Sequence, residues 1–241
     1  MGIGRQYHRW FSPALQRDME LLVFGHGGAR VIVFPTSMGR FYEWEDRGMV
    51  AALGDQLANG WIQLYCVDTV DGESWYNRHK PGWAQAMRQA EYERYLLGEV
   101  VPLMDNLNGT PYTMTTGASF GAYHAANFAF KNPWLINRLI GMSGIYGIDR
   151  FVNGHFDENV YFNNPPAYLQ HEHDPARIGA LQRQDIIIVT GTDDPNRASS
   201  ERLSTVLWDK GIGNALRLWH GWCHDWPYWR DMIRTYIGGH D

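Results

Sequence analysis

The sequence has no basic run. Its 21 Lys and Arg face 26 Asp and Glu, for a formal net charge of −5 at pH 7. That balance argues against nucleic acid as the main partner. Cysteine is scarce, with Cys66 and Cys223 only. Neither stands at metal-ligand spacing. Two thiols alone do not define a disulfide. No apolar run approaches the length needed to cross a bilayer, so no membrane partner is expected. Met1 to Trp10 is polar and lacks the apolar segment of a signal peptide, and a cytoplasmic location is the default expectation. Internal repeats and linker-like stretches are also missing, so residues 1–241 are read as one domain.

What is present is an ordinary globular balance, 44% hydrophobic and 20% charged, in a chain long enough for a sizeable core. Strands are expected at 7–11 and 18–24. Gly25-His26-Gly27-Gly28 then turns the chain into Val31-Ile32-Val33-Phe34, a strand of the fully buried type. Further strands are expected at 62–67, 112–116, 138–142, 186–190 and 215–219. Helices are expected at 45–58, 83–107 with a break near Pro102, 122–131, 199–210 and 226–237. Residues 148–180 have no strong period and read as a short insertion with one or two helices, not a large lid. From residue 31 onward strands alternate with helices. The fold class is therefore α/β, with a mostly parallel central sheet and helices on both faces.

One stretch carries the chemistry. Gly117-Ala118-Ser119-Phe120-Gly121 is a Gly-x-Ser-x-Gly between the expected strand 112–116 and the expected helix 122–131. That is the context of the nucleophile elbow, a strained strand-to-helix turn whose glycines leave room for close backbone contact. A Ser hydroxyl needs a base within hydrogen-bond reach, and the base needs an orienting carboxylate. In elbow enzymes the chain order is Ser, acid, His. Strand 186–190 runs into Gly191-Thr192-Asp193-Asp194-Pro195, and strand 215–219 runs into His220-Gly221-Trp222-Cys223-His224-Asp225-Trp226. Asp194 is preferred over Asp193, whose adjacent side chain diverges from it. His224 is preferred over His220, which follows the strand immediately.

A tetrahedral intermediate also needs two donors for its oxyanion. The first is expected from the N–H of Phe120, at the start of the elbow helix. The second is expected from the loop Pro35-Thr36-Ser37-Met38-Gly39-Arg40, from Ser37 with Met38 next. His26-Gly27-Gly28 resembles a lipase oxyanion loop, but a strand follows it, so His26 is read as a hairpin residue.

The segments around Ser119, Asp194 and His224, with Pro35 to Met49, Glu73-Ser74-Trp75-Tyr76 and Asn159 to Pro165, resemble a bacterial esterase family of the α/β-hydrolase superfamily. That family is related to carbohydrate esterases, S-formylglutathione hydrolases and mycolyl transferases. The likeness covers nearly the whole chain. It implies an α/β-hydrolase fold, a Ser119-Asp194-His224 triad, and hydrolysis of carboxylic esters without metal or cofactor. One departure is Pro35-Thr36-Ser37 in place of the commoner His-Gly before the second oxyanion donor.

Eleven Trp suggest a platform for carbohydrate. Trp61, Trp83, Trp208 and Trp219 are read as structural. Phe41, Trp75, Tyr76, Tyr146, Phe151, Tyr161 and Phe162 lie in loops expected at the sheet's C-terminal edge, where open α/β sheets bind ligands, and are read as walls of the acyl and alcohol pockets. Asp71 and Glu73 are candidates to hydrogen-bond an alcohol moiety. The expected partner is a small-molecule ester with a small or short-chain acyl group, acetyl and feruloyl esters of carbohydrate among them. An acyltransferase with the same triad and a non-catalytic carbohydrate-binding protein of the same fold are the competing readings.

Overall fold

A computed structural model of the chain describes residues 3–239. The first two residues of the polar N-terminal segment lie outside them. The strands are β1 (Arg5–Ser12), β2 (Arg17–Phe24), β3 (Ala29–Phe34), β4 (Ile62–Val67), β5 (Thr113–Ala118), β6 (Arg138–Met142), β7 (Asp185–Gly191) and β8 (Ala215–Trp219). They form one eight-stranded sheet in the order β1-β2-β4-β3-β5-β6-β7-β8. β1 and β2 pair antiparallel, as do β2 and β4; from β4 through β3 to β8 every pair is parallel.

The helices are α1 (Glu43–Asp46), α2 (Met49–Ala52), α3 (Gly54–Ala58), α4 (Gly82–Tyr95), α5 (Val101–Leu107), α6 (Phe120–Lys131), α7 (Glu158–Tyr161), α8 (Pro165–Gln170), α9 (Pro175–Leu181), α10 (Arg197–Asp209) and α11 (Trp226–Tyr236). Successive strand residues point to opposite faces of a sheet. Ile32 and Phe34 of β3 join a core covered by α4, α5, α6, α8 and α10, whereas Val31 and Val33 join one covered by α1 to α3 and α11. Strands buried on both faces read as continuous apolar runs, which is why β3, β4 and β7 were legible.

Several expectations need correction. The helix expected at 45–58 is three short ones, separated at Gly48, which adopts φ +74°, and at Leu53. The helix expected at 83–107 opens into a π turn at Leu96–Val100. This is the break expected near Pro102, which stands two residues on and has no N–H for the carbonyl one turn back, so the regular ladder cannot run through it. The insertion at 148–180 carries α7, α8 and α9 rather than one or two helices. α7 and α9 start at Asp157 and Asp174, whose carboxylates accept backbone N–H groups of the first turn. His26 is not in a hairpin. β2 and β3 lie on opposite sides of β4, and His26 is exposed in the crossing loop beside Gly60, at the N-terminal end of β3. Among the tryptophans, Trp44, Trp75 and Trp229 are buried, whereas Trp61, Trp83 and Trp208 are largely in solvent. No helix among the described residues is long and apolar enough to cross a membrane.

Candidate active site

β5 ends at Ala118 and α6 begins at Phe120, so Ser119 is the whole connection. Its backbone sits at φ 54°, ψ −118°, a conformation that costs a non-glycine residue of order 1–3 kcal/mol and persists only where the surroundings enforce it. The surroundings do so by close approach. A Cβ on Gly117 would lie 2.3 Å from the carbonyl carbon of Gly121, and one on Gly121 would lie 2.5 Å from the Pro35 oxygen and 2.6 Å from that of Phe34. The elbow helix is thus pressed against the end of β3. Gly121→Ala is expected to destabilise by roughly 1–3 kcal/mol, as overpacking does. Urea unfolding measures it, and a midpoint equal to wild type would contradict this packing.

Strain concentrates at this edge of the sheet. Met38, Ser119, Ser143 and Cys223 are four of the six non-glycine residues with positive φ among those described. They follow β3, β5, β6 and β8 in turn. Ser143 links three of the segments: its Oγ donates to the Cys223 carbonyl at 3.0 Å and accepts from Trp229 Nε1 at 3.0 Å, and its carbonyl accepts from Asn196 Nδ2 at 3.0 Å.

The loops after β7 and β8 are bound to each other. Thr192 N–H donates to the Trp219 carbonyl at 2.7 Å and Asp193 N–H to that of Gly221 at 2.9 Å, while Gly221 N–H donates to Thr192 Oγ1 at 2.9 Å. The pairing brings His224 Nδ1 to 3.0 Å from Asp194 Oδ1. Asp194 is buried and His224 partly so, whereas Asp193 and His220 are exposed. Burial alone would raise the Asp194 carboxyl; the hydrogen bonds from His224 and from the Asn196 N–H outweigh it and hold the pKa below the usual carboxylate range. An ionised Asp194 can only accept, so Nδ1 carries a proton, and in the neutral imidazole Nε2 is the nitrogen with the lone pair. The indole of Trp229 stands edge-on to the imidazole at 5.3 Å, and Trp222 lies 5.8 Å away, half in solvent at the rim. Trp222 was not singled out from the sequence; its place two residues before His224 was the available signal.

The loop after β3 makes a turn in which Gly39 N–H donates to the Thr36 carbonyl at 2.9 Å. Met38 has φ 59° and Ser37 does not have positive φ, so the turn is type II. The Met38 N–H is committed to Asp71 Oδ2 at 2.9 Å. The Ser37 N–H has no acceptor among the described residues, and the Phe120 N–H, first in its helix, has no intrahelical one. Tyr76 donates its hydroxyl to Ser37 Oγ at 2.7 Å.

No family model and no curated protein matches the chain by sequence. Solved structures match it by shape. A ferulic acid esterase superposes with a TM-score of 0.75 at 16% identity, over 98% of this chain and 96% of the other. An S-formylglutathione hydrolase from Staphylococcus aureus gives 0.74 at 14%, over 99% and 97%. A ferulic acid esterase from the anaerobic fungus Anaeromyces mucronatus gives 0.73 at 14%, over 99% and 92%. The chain has the α/β-hydrolase fold.

The aromatic residues expected to line the pockets divide into groups. Phe120, Tyr76 and Phe151 make one cluster, with Tyr76 and Phe151 each packed on Phe120 at 5.1 and 5.2 Å and only half-buried. Phe41, Trp75 and Tyr146 belong to the core instead of a pocket wall. Phe41 packs between Tyr7 and Tyr42, and Trp75 packs on Tyr123. The Tyr146 ring fills the space left by Gly141 and Gly144, where a Cβ would meet it at 2.2 and 2.3 Å. Tyr161 and Phe162 line a separate groove with Lys131, at the end of α6 opposite Ser119. The two loop carboxylates also differ from expectation. Glu73 pairs with Arg17 and Arg88. Asp71 is buried and holds His124 and the Met38 N–H. Asp71 is therefore closed to an alcohol moiety, and both Glu73 oxygens are held by arginines. Among the described residues no group of three or more His, Cys, Asp or Glu is placed to hold a metal ion.

Proposed function

We propose that this chain is a serine carboxylic ester hydrolase that works through an acyl-enzyme on small or short-chain acyl esters. The observation that carries the reading is the 3.0 Å contact of His224 Nδ1 with buried Asp194, at the sheet edge where β5 ends in the strained Ser119. Ser119 Oγ attacks the ester carbonyl and its proton goes to Nε2 of His224. Asp194 holds the imidazole in the required tautomer and stabilises the imidazolium. The oxyanion of the tetrahedral intermediate is received by the N–H groups of Phe120 and Ser37. His224 then protonates the leaving alcohol, and a water molecule, activated by the same imidazole, releases the acid and restores Ser119.

Acetyl and feruloyl esters of carbohydrate are the candidate substrates, and two of the structural neighbours are ferulic acid esterases. The half-exposed Trp222 beside His224 suits a flat sugar or aromatic group on the leaving side. The test is turnover of 4-nitrophenyl acetate and of methyl ferulate, with and without excess alcohol. Release of free acid as the main product is expected. A product mixture dominated by transesterified ester would show an acyltransferase instead.

A further inference from the structure

The two N–H groups assigned to the oxyanion come from different elements. Ser37 lies in the turn after β3, and Phe120 opens α6. Their separation must be held for both to reach one oxygen, since a misplacement of about 1 Å can cost ~10²-fold in rate. One carboxylate spans the two elements. Asp71 sits in the 3-10 turn Asp71–Glu73 and is 1% exposed. Its Oδ2 accepts the Met38 N–H at 2.9 Å, next along the chain from Ser37. Its Oδ1 lies 2.8 Å from Nε2 of His124, which is further along the elbow helix and 2% exposed.

We propose that Asp71 and His124 form a strut that sets the separation of the two oxyanion donors, which makes both of them positioning residues for the hydrolysis read above; the inference rests on that reading. A buried carboxylate is costly unless both oxygens are satisfied, and both are. Its Oδ2, placed as an acceptor for the Met38 N–H, also decides the turn. A non-glycine residue at the third position of a turn ordinarily favours type I, in which the central peptide is flipped. The flip would aim the Ser37 carbonyl oxygen at the Asp71 carboxylate, two acceptors face to face. Asp71 therefore enforces the type II form with Met38 at φ 59°. At the other end, the His124 ring is packed against Phe34, Tyr92 and Phe120 at centroid distances of 5.9, 5.6 and 5.0 Å. Its Nε2 faces the Asp71 carboxylate oxygen and donates to it, and its Nδ1 lies 3.5 Å from the amide nitrogen of Gln89. The strut thus runs from α6 through Asp71 to the oxyanion turn.

The test uses Asp71→Ala, His124→Phe and His124→Gln in the full chain, each checked by circular dichroism and cooperative melting. Phe keeps the ring volume and cannot donate; Gln keeps a donor. Asp71→Ala and His124→Phe are expected to lower kcat on 4-nitrophenyl acetate by about 10²-fold with KM changed less than about three-fold, the pattern of an interaction realised in the transition state. The affinity for a trifluoromethyl ketone, whose adduct with Ser119 carries the oxyanion, is expected to fall by the same factor. His124→Gln is expected to stay within about three-fold of wild type in kcat. Folded Asp71→Ala and His124→Phe proteins with wild-type kcat would overturn the strut, as would His124→Gln losing as much as His124→Phe. If Asp71→Ala does not fold, His124→Phe carries the same decision. Wild-type protein inert to both the ester and a serine-directed phosphonate would overturn the hydrolase reading and the strut with it. An active wild type with unaffected variants would overturn the strut alone.

Discussion

Ser119→Ala is expected to lower kcat on a chromogenic acetate by ~10⁴-fold or more while the fold survives. The size follows from what the hydroxyl does. Removing it ends acyl-enzyme formation, and only binding and the oxyanion donors remain to assist attack by water. The fold survives because Ser119 is held by its backbone: its N–H donates to the Met142 carbonyl at 2.8 Å, and the glycines at 117 and 121 provide the close contacts. Alanine must adopt the same φ of 54°, so a small loss of stability accompanies the large loss of rate. Circular dichroism and steady-state kinetics on the same preparation separate the two. A variant retaining a tenth of wild-type activity would remove Ser119 from the chemistry.

Asp194→Asn is expected to cost roughly 10⁴-fold in kcat, because the amide turns its NH₂ toward His224 and favours the tautomer that cannot take the proton of Ser119. Asp193→Asn is expected to stay near wild type. The two residues are adjacent, yet only Asp194 is buried and in contact with His224, while the Asp193 side chain faces solvent. His224→Ala belongs with Asp194→Asn, and His220→Ala with Asp193→Asn, for the same reason. Reversed results within either pair would reassign the acid or the base. The surviving member would then have to reach the Ser119 hydroxyl by a different path from the loop after β7 or β8.

The parts of the site that follow from chain order were legible in the sequence. A Gly-x-Ser-x-Gly between strand and helix marks an elbow because the turn tolerates nothing larger at 117 and 121, and late strands β7 and β8 mark where an acid and a base can meet. The Asp71–His124 contact was not legible. It joins residues far apart in the chain, and Asp71 stands in a loop where carboxylates are ordinarily solvated. Its partner His124 stands against a small core in which the loop residues Trp75 and Ile148 pack with Phe120 and Tyr123 of α6. That core also explains why Trp75, read as a pocket wall, is buried: its loop packs onto the elbow helix α6 before it faces a ligand. The boundaries missed within 45–58 have a local cause, a left-handed Gly48 whose effect depends on the packing around it, whereas the break expected near Pro102 is matched by the π turn at Leu96–Val100. Phe41 and Tyr146 fill space that glycines and neighbouring rings leave, which no periodicity reveals.

The most direct measurement is covalent. The wild-type protein is treated with a fluorophosphonate, its residual turnover of 4-nitrophenyl acetate is followed, and the modified peptide is located by mass spectrometry. Activity is expected to fall in step with one phosphonyl adduct per chain, carried on Ser119, with the Ser119→Ala protein unlabelled. An adduct on another residue, or full turnover by protein phosphonylated at Ser119, would contradict the assignment of Ser119 as the nucleophile.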